Sequence, residues 1–303
     1  MWCEAGIGRP RGDVVVRPGG LGLRDNAQGD CHTLSLVGEL DLVTAPELQT
    51  TINRLCKDGA REIVLDLHEL AFIDSTGLRT ILAASQLCER HGCDFSLTRV
   101  QPPAQRLFEL TGLVGRLTFR GRALTKKLSR RRASASKMPA ALVRPDFEIS
   151  LDLHPRAPRS ARSYVRDLLS ADASQDLREA VMLLTSELVT RTVLQRTSDV
   201  VEAAQLRVWL RADRVRVELR VPSELQMESP QGSGPDYDRL LLDQIADRWS
   251  IDTDQDVVCV WFELDRSRAH RDIQGRREID VRSEPGDRAG DRDIGDVSAQ
   301  FHE

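Results

Sequence analysis

Residues 65–78 read Leu-Asp-Leu-His-Glu-Leu-Ala-Phe-Ile-Asp-Ser-Thr-Gly-Leu, and they decide the fold of the first half of the chain. Arg61 to Leu67 reads as a strand with a buried centre, and Phe72 and Ile73 end a short apolar run. Asp74 to Gly77 forms a loop. A helix is predicted from there to about Arg90, with Leu78, Ile81, Leu82 and Leu87 at buried spacing. Ser75 therefore stands at or just before a helix N-terminus, beside unpaired N–H groups and the positive end of the helix dipole. A phosphate on Ser75 would find donors there. It would also bring about −1.5 to −2 charge onto an exposed corner beside Asp74, enough to repel an acidic partner surface without refolding the domain. From the residues alone, Ser75 and Thr76 read first as plain N-cap residues.

Working outward, His32 to Val37 is a strand and Gly12 to Arg17 a candidate opening strand. Thr44 is placed to cap a helix, with Glu47 completing a capping box. Pro46 falls in the first turn, Leu48, Ile52 and Leu55 form the apolar stripe, and Gly59 is the stop. Downstream come a strand at Cys93 to Arg99, a short helix at Gln105 to Thr111 and a strand at Leu117 to Phe119. The alternation predicts an α/β domain over residues 11–120 with helices packed on one sheet.

A second α/β sandwich is predicted over 155–265. Its first helix spans Arg159 to Ser170, and its strongest runs from Ser174 to Gln195 on a stripe of Leu177, Val181, Leu184 and Leu188. Leu206 to Leu210 and Val215 to Val221 form a hairpin turning near Ala212-Asp213. Tyr237 to Arg248 is a helix and Val257 to Leu264 a terminal strand. Between the domains, residues 121–154 read as a flexible basic linker, rich in Ser and Ala and carrying Lys126, Lys127 and Arg130 to Arg132. Residues 266–303 are charged, near-balanced and without apolar periodicity, which predicts a disordered tail.

Composition narrows the function. The formal net charge is −4 and aromatic residues are 4 % of the chain, so neither global charge nor stacking surface points to nucleic acid. No run of 18 apolar residues occurs, and the N-terminus lacks a signal-peptide core, so a cytoplasmic protein without membrane contact is expected. The six cysteines form no CxxC pair. Cys88, His91 and Cys93 are close in sequence but lack a fourth ligand, so no metal site is expected and the thiols are read as reduced.

GELDLVTAPEL at 38–48 and LDLHELAFIDSTGL at 65–78 resemble the STAS family of anti-sigma factor antagonists, over about residues 12–120. The resemblance implies that Ser75, directly after the Asp, is phosphorylated by a cognate kinase. It implies a partner-binding face comprising Asp41, Asp74, Ser75, Thr76 and Gly77, and a protein that binds when unmodified and releases when phosphorylated.

REAVMLLTSELVTRTV, VRVELRV, LLLDQIADRW and VWFEL, spread over 155–264, resemble the GHKL ATPase fold of the anti-sigma serine kinases. In that family a helix Glu polarises the attacking hydroxyl and an Asn four residues on holds Mg²⁺. The Glu is Glu187; the Asn position is Arg191, which has no lone pair for a metal. The adenine-binding Asp position is Val221, the two following Gly positions are Ser223 and Leu225, and a second glycine motif reads Asp236 and Asp238. Val221 cannot accept a hydrogen bond from adenine, and two carboxylates repel a triphosphate. Glu187 is accordingly read as vestigial, a boundary residue tied to Arg191, and neither ATP nor Mg²⁺ is expected.

Together these imply a non-enzymatic regulator in bacterial sigma-factor partner switching: a STAS switch domain joined to a nucleotide-incompetent kinase-like domain. Its partners would be an anti-sigma kinase, another STAS protein or a sigma factor, and the two halves could bind each other or a second copy. The alternative is an active ATP-dependent serine kinase acting on a STAS serine.

Overall fold

The computed structural model describes residues 20–98, 100–120, 134–135, 144–169, 173–195, 203–222, 237–254 and 257–266 of the 303-residue chain. The expected strand at Gly12 to Arg17, most of the basic linker and the tail beyond Arg266 lie outside them.

The first half builds one five-stranded sheet from β1 (Leu21–Gln28), β2 (Cys31–Leu40), β3 (Glu62–Ile73), β4 (Asp94–Thr98) and β5 (Phe119–Arg120), in sequential spatial order. β1 and β2 form an antiparallel hairpin at the Gly29 turn, and every later neighbour is parallel. The parallel pairs need crossovers. These are α1 (Ala45–Lys57), α2 (Ser75–Arg90) and α3 (Pro102–Leu110). Right-handed crossovers that advance in one direction place all three helices on one face of the sheet. The apolar stripe of α1 is buried as its spacing requires: Leu48, Ile52 and Leu55 are at most 2 % exposed.

The α1 terminus differs from the expected capping box. Thr44 is in the αR region and its side chain caps no helix N–H. Its hydroxyl instead donates to the Glu39 carbonyl at 2.8 Å and accepts the Asp41 N–H at 2.9 Å. The tight turn out of β2 takes the Thr44 side chain, and the Asp41 carbonyl receives the N–H groups of Thr44 and Ala45.

The second half has its own sheet, ordered β6 (Ser134–Ala135), β10 (Arg248–Asp254), β11 (Val257–Asp265), β9 (Arg214–Pro222), β8 (Ala203–Leu210) and β7 (Phe147–Asp152). All of its pairs are antiparallel except β6 with β10. Four strands were not expected. β1 lies beyond the expected opening strand, β6 and β7 fall inside the segment read as linker, and β10 takes up Arg248, where the helix from Tyr237 was expected to end. Helix α6 spans Tyr237–Ile245 and stops there, because alternating Trp249, Ile251 and Thr253 pair with β11 instead. Helices α4 (Ala157–Leu168) and α5 (Gln175–Leu194) pack together beside this sheet. Ser174 caps α5 through its side chain, which accepts the Leu177 N–H at 3.2 Å.

Helix α5 is buried on more than its apolar stripe. Thr185, Ser186, Glu187, Thr190, Arg191 and Thr192 are all buried alongside Leu184 and Leu188. A helix with one partner leaves its polar face to solvent. Here the first domain covers that face. Among the described residues no helix is long and apolar enough to cross a membrane.

Candidate functional site

The site grows from the ends of two parallel strands. β2 and β3 pair through Leu40 and Ile73, so the residues that follow them, Asp41 and Asp74, emerge side by side. Asp74 caps α2: one carboxylate oxygen accepts from Thr76 N at 2.9 Å and Gly77 N at 3.0 Å. Gly77 is required by close approach, since a Cβ there would lie 2.5 Å from the Leu40 carbonyl oxygen. Ser75 is thereby fixed as the first residue of α2.

Ser75 is fully buried, as is Asp74. This corrects the expectation of an exposed corner, and what covers it is α5. The Ser75 hydroxyl donates to Oε2 of Glu187 at 2.5 Å, and the Ser75 backbone N–H donates to Oε1 at 2.8 Å. Arg79, one turn along α2, donates from Nη2 to Ser75 Oγ at 2.7 Å and from Nε to the Ser75 carbonyl. Cation, hydroxyl and carboxylate thus form one hydrogen-bonded chain across two domains, each group charge-assisted. Glu187 is 1 % exposed. The reading of it as a surface or boundary residue is therefore corrected: it is buried and both its oxygens accept from Ser75.

Around this contact lies an ion-pair network. Arg162 of α4 donates to Asp41 at 2.6 Å and Glu39 at 2.7 Å, and Arg159, three residues earlier, donates to both Asp41 oxygens at 3.0 Å. Arg162 also donates to Ser186 Oγ at 2.8 Å, and its guanidinium stacks 4.0 Å above the Phe72 ring centroid. Ser186 in turn donates to the second Asp74 oxygen at 3.4 Å. Arg162 and Asp41 are at most 2 % exposed. A pair this deeply desolvated is secured only by such additional hydrogen bonds. Burial pushes the Asp74 carboxyl up to about 6, helped by the neighbouring Asp41 and opposed by the Gly77 and Thr76 N–H groups and Arg162.

Of the residues expected to form a partner face, Asp41, Asp74 and Ser75 all meet the second domain. Arg191 and Val221 are buried, Val221 as a β9 residue opposite Val258. Asp238 lies in α6, and Ser223, Leu225 and Asp236 lie outside the described residues. Sequence reasoning missed Arg79, Glu39, Arg159, Arg162 and Ser186. Two signals were available: Arg79 stands four residues after Ser75, and Arg159 and Arg162 are three apart, so each set shares a helix face.

A sheet of this order, with a buried serine after an N-capping aspartate, defines a STAS-type domain. The STAS domain family matches residues 24–123. The chain is 30 % identical over 93 residues to an anti-sigma-B factor antagonist of Staphylococcus aureus, covering 31 % of this chain and 86 % of that protein. It is 26 % identical, with the same coverage, to an anti-sigma-B factor antagonist of Staphylococcus epidermidis. Among solved structures, an anti-sigma factor antagonist from Mycobacterium paratuberculosis shares 26 % identity over 35 % of this chain and 89 % of that one, with a TM-score of 0.32. Through its N-terminal STAS domain the chain belongs to the anti-sigma factor antagonist family; a distinct α/β domain with its own sheet follows.

Proposed function

We propose that this protein is a partner-switching regulator whose STAS switch is held shut by its own second domain. The carrying observation is the contact of Ser75 with both carboxylate oxygens of Glu187. The surface that an antagonist offers a partner is occupied in cis, and tethering raises the effective concentration of the occupant to about millimolar. Ser75 is the phosphorylation site. A phosphate there places about −1.5 to −2 charge against Glu187, where the neutral hydroxyl now donates. Like charges at hydrogen-bonding distance in a buried site are strongly unfavourable. Modification therefore expels the second domain, and Arg79 remains to pair with the phosphate.

The second domain is a kinase-like fold of the GHKL type that has kept its docking surface. Arg191 in place of a metal-binding amide and Val221 in place of an adenine-binding carboxylate support a domain without nucleotide chemistry. A second reading rests on one observation: Glu187 lies where a general base for the Ser75 hydroxyl would stand. On that reading the chain phosphorylates itself.

Incubating the full chain with ATP and Mg²⁺ and measuring its intact mass separates the two. An unchanged mass, together with a Ser75→Asp variant whose α2 amides exchange faster than wild type, is the expected result. Phosphate on Ser75 that disappears in Glu187→Gln selects the self-phosphorylating kinase. A Ser75→Asp variant as closed as wild type overturns the switch.

A further inference from the structure

Far from the switch, the other end of α2 carries a second cluster. Cys56 is in the last turn of α1, Cys88 in the last turn of α2, and Cys93 directly precedes β4. The sequence brings Cys88 and Cys93 together through a tight turn: the Cys93 N–H returns to the Cys88 carbonyl at 2.9 Å, with Gly92 at φ 70° making the bend. The packing of α1 on α2 adds Cys56. The three sulfur atoms lie within 4.8 Å of one another, and Cys56 and Cys88 are 3.6 Å apart. All three are at most 5 % exposed. His91, the ligand that sequence spacing suggests beside Cys88 and Cys93, is exposed and outside this group, and Cys56 takes its place.

We propose that Cys56, Cys88 and Cys93 form a three-thiol binding site for a trivalent thiophilic ion, of which arsenous acid is the simplest soluble form. Charge selects the valence. Three thiolates on Zn²⁺ leave one net negative charge and an unfilled tetrahedral position. Three on Cu⁺ leave two negative charges. Neither suits this place, because burial penalises net charge and two of the sulfurs sit at helix C-termini, where the dipole disfavours anions. A trivalent centre with three thiolates is neutral. Three As–S bonds replace the three As–OH bonds of arsenous acid. Each thiol proton leaves with one hydroxide as water, so three waters form and the oxidation state of arsenic and sulfur is unchanged.

The test uses the reduced full-length protein and sodium arsenite. Native mass spectrometry is expected to show one arsenic bound per chain with loss of three protons, and the arsenic-edge X-ray absorption spectrum three sulfur neighbours. Binding raises the melting temperature, since only the folded state assembles the triad. Cys93→Ser is expected to weaken binding by about a hundredfold, the advantage of a pre-positioned third arm, while Cys31→Ser leaves it unchanged. The absorption spectrum needs no variant and decides alone if Cys93→Ser fails to fold. Two sulfur neighbours, undiminished uptake by a folded Cys93→Ser, or tighter stoichiometric uptake of Zn²⁺ than of arsenite each overturn the proposal.

Discussion

Glu187 accepts both the hydroxyl and the backbone N–H of Ser75, residues 112 positions apart, at 2.5 and 2.8 Å. One carboxylate thus holds the serine side chain and the α2 N-terminus together. A hydroxyl completes the arrangement; on the function proposed above, a phosphate, with only acceptor oxygens facing that carboxylate, would break it.

Glu187→Ala is expected to cost more stability than Ser75→Ala. The first leaves the buried Ser75 N–H and hydroxyl without their carboxylate acceptor, worth about 1–3 kcal/mol. The second keeps the N–H bond to Glu187 and leaves Arg79 and Glu187, opposite in charge, on either side of the lost hydroxyl, about 0.5–1.5 kcal/mol. Urea unfolding of the full chain checks the order, and hydrogen exchange at residues 75–79 is expected to rise more in Glu187→Ala.

Arg162→Met keeps most of the side-chain volume but removes the guanidinium that Asp41 and half-buried Glu39 share and that stacks on Phe72, leaving Arg159 as their remaining partner. Breaking a buried pair from one side costs about 3–5 kcal/mol, and with Arg159 still in place the lower end, about 3 kcal/mol, is expected. The same variant is expected to expose Ser75, so a serine kinase active on STAS domains should phosphorylate it faster than wild type. Equal rates would mean that the second domain does not protect the serine.

Gly77→Ala places a methyl group against the Leu40 carbonyl oxygen and the Ile73 side chain, at 2.5 and 2.9 Å before any adjustment. Backbone cannot yield as a side chain does, so the first turn of α2 must move off β2. The expected cost is about 1–3 kcal/mol or more, read as a lower melting temperature. The penalty is steric: Gly77 is helical, so its conformational freedom is not what fixes it.

The Asp74 carboxyl is pushed up to about 6 in the folded protein, above its ordinary value near ~3.9. Between those values the native state binds more protons than the unfolded chain, so the Asp74 contribution makes stability fall as pH rises through that window. Above about 6 both states are ionised and the contribution is level. Asp74→Asn keeps an N-capping oxygen and removes the charge, so the difference between its pH–stability curve and that of wild type is expected to carry this slope. A difference that rises with pH over the same window would reverse the sign of the Asp74 shift.

The local structure of the site was legible in residues 65–78: an apolar run into a strand, then an Asp-Ser-Thr-Gly turn opening a helix; that Gly77 has no room for a side chain was seen only in the fold. Both α/β layers followed from periodicity, because apolar spacing reports which face of an element is buried. Short edge and return strands were less legible. β7 sits in a stretch with basic and Ser-rich neighbours, and β10 follows a helix without a punctuating Gly or Pro, so pairing with β8 and β11 decides them. The capping box failed for a similar reason: Thr44 has the right residue type, but the turn from β2 takes its hydroxyl first.

What only the tertiary structure decided is the fate of the charged residues. Ser75 read as an exposed corner beside Asp74, Glu187 read as a boundary residue, and Arg159 and Arg162 were missed; no local pattern distinguishes a polar face in water from one pressed against another domain. Packing α4 and α5 on the ends of β2 and β3 buried them all and joined them into one network. The same holds for Cys56, which α1–α2 packing delivers to Cys88 and Cys93. Most helices and strands, and the placement of Ser75 at the start of α2, were within reach of the sequence, since they rest on near-neighbour spacing. Desolvation and partner choice depend on groups more than a hundred residues apart, and only the folded chain brings those together.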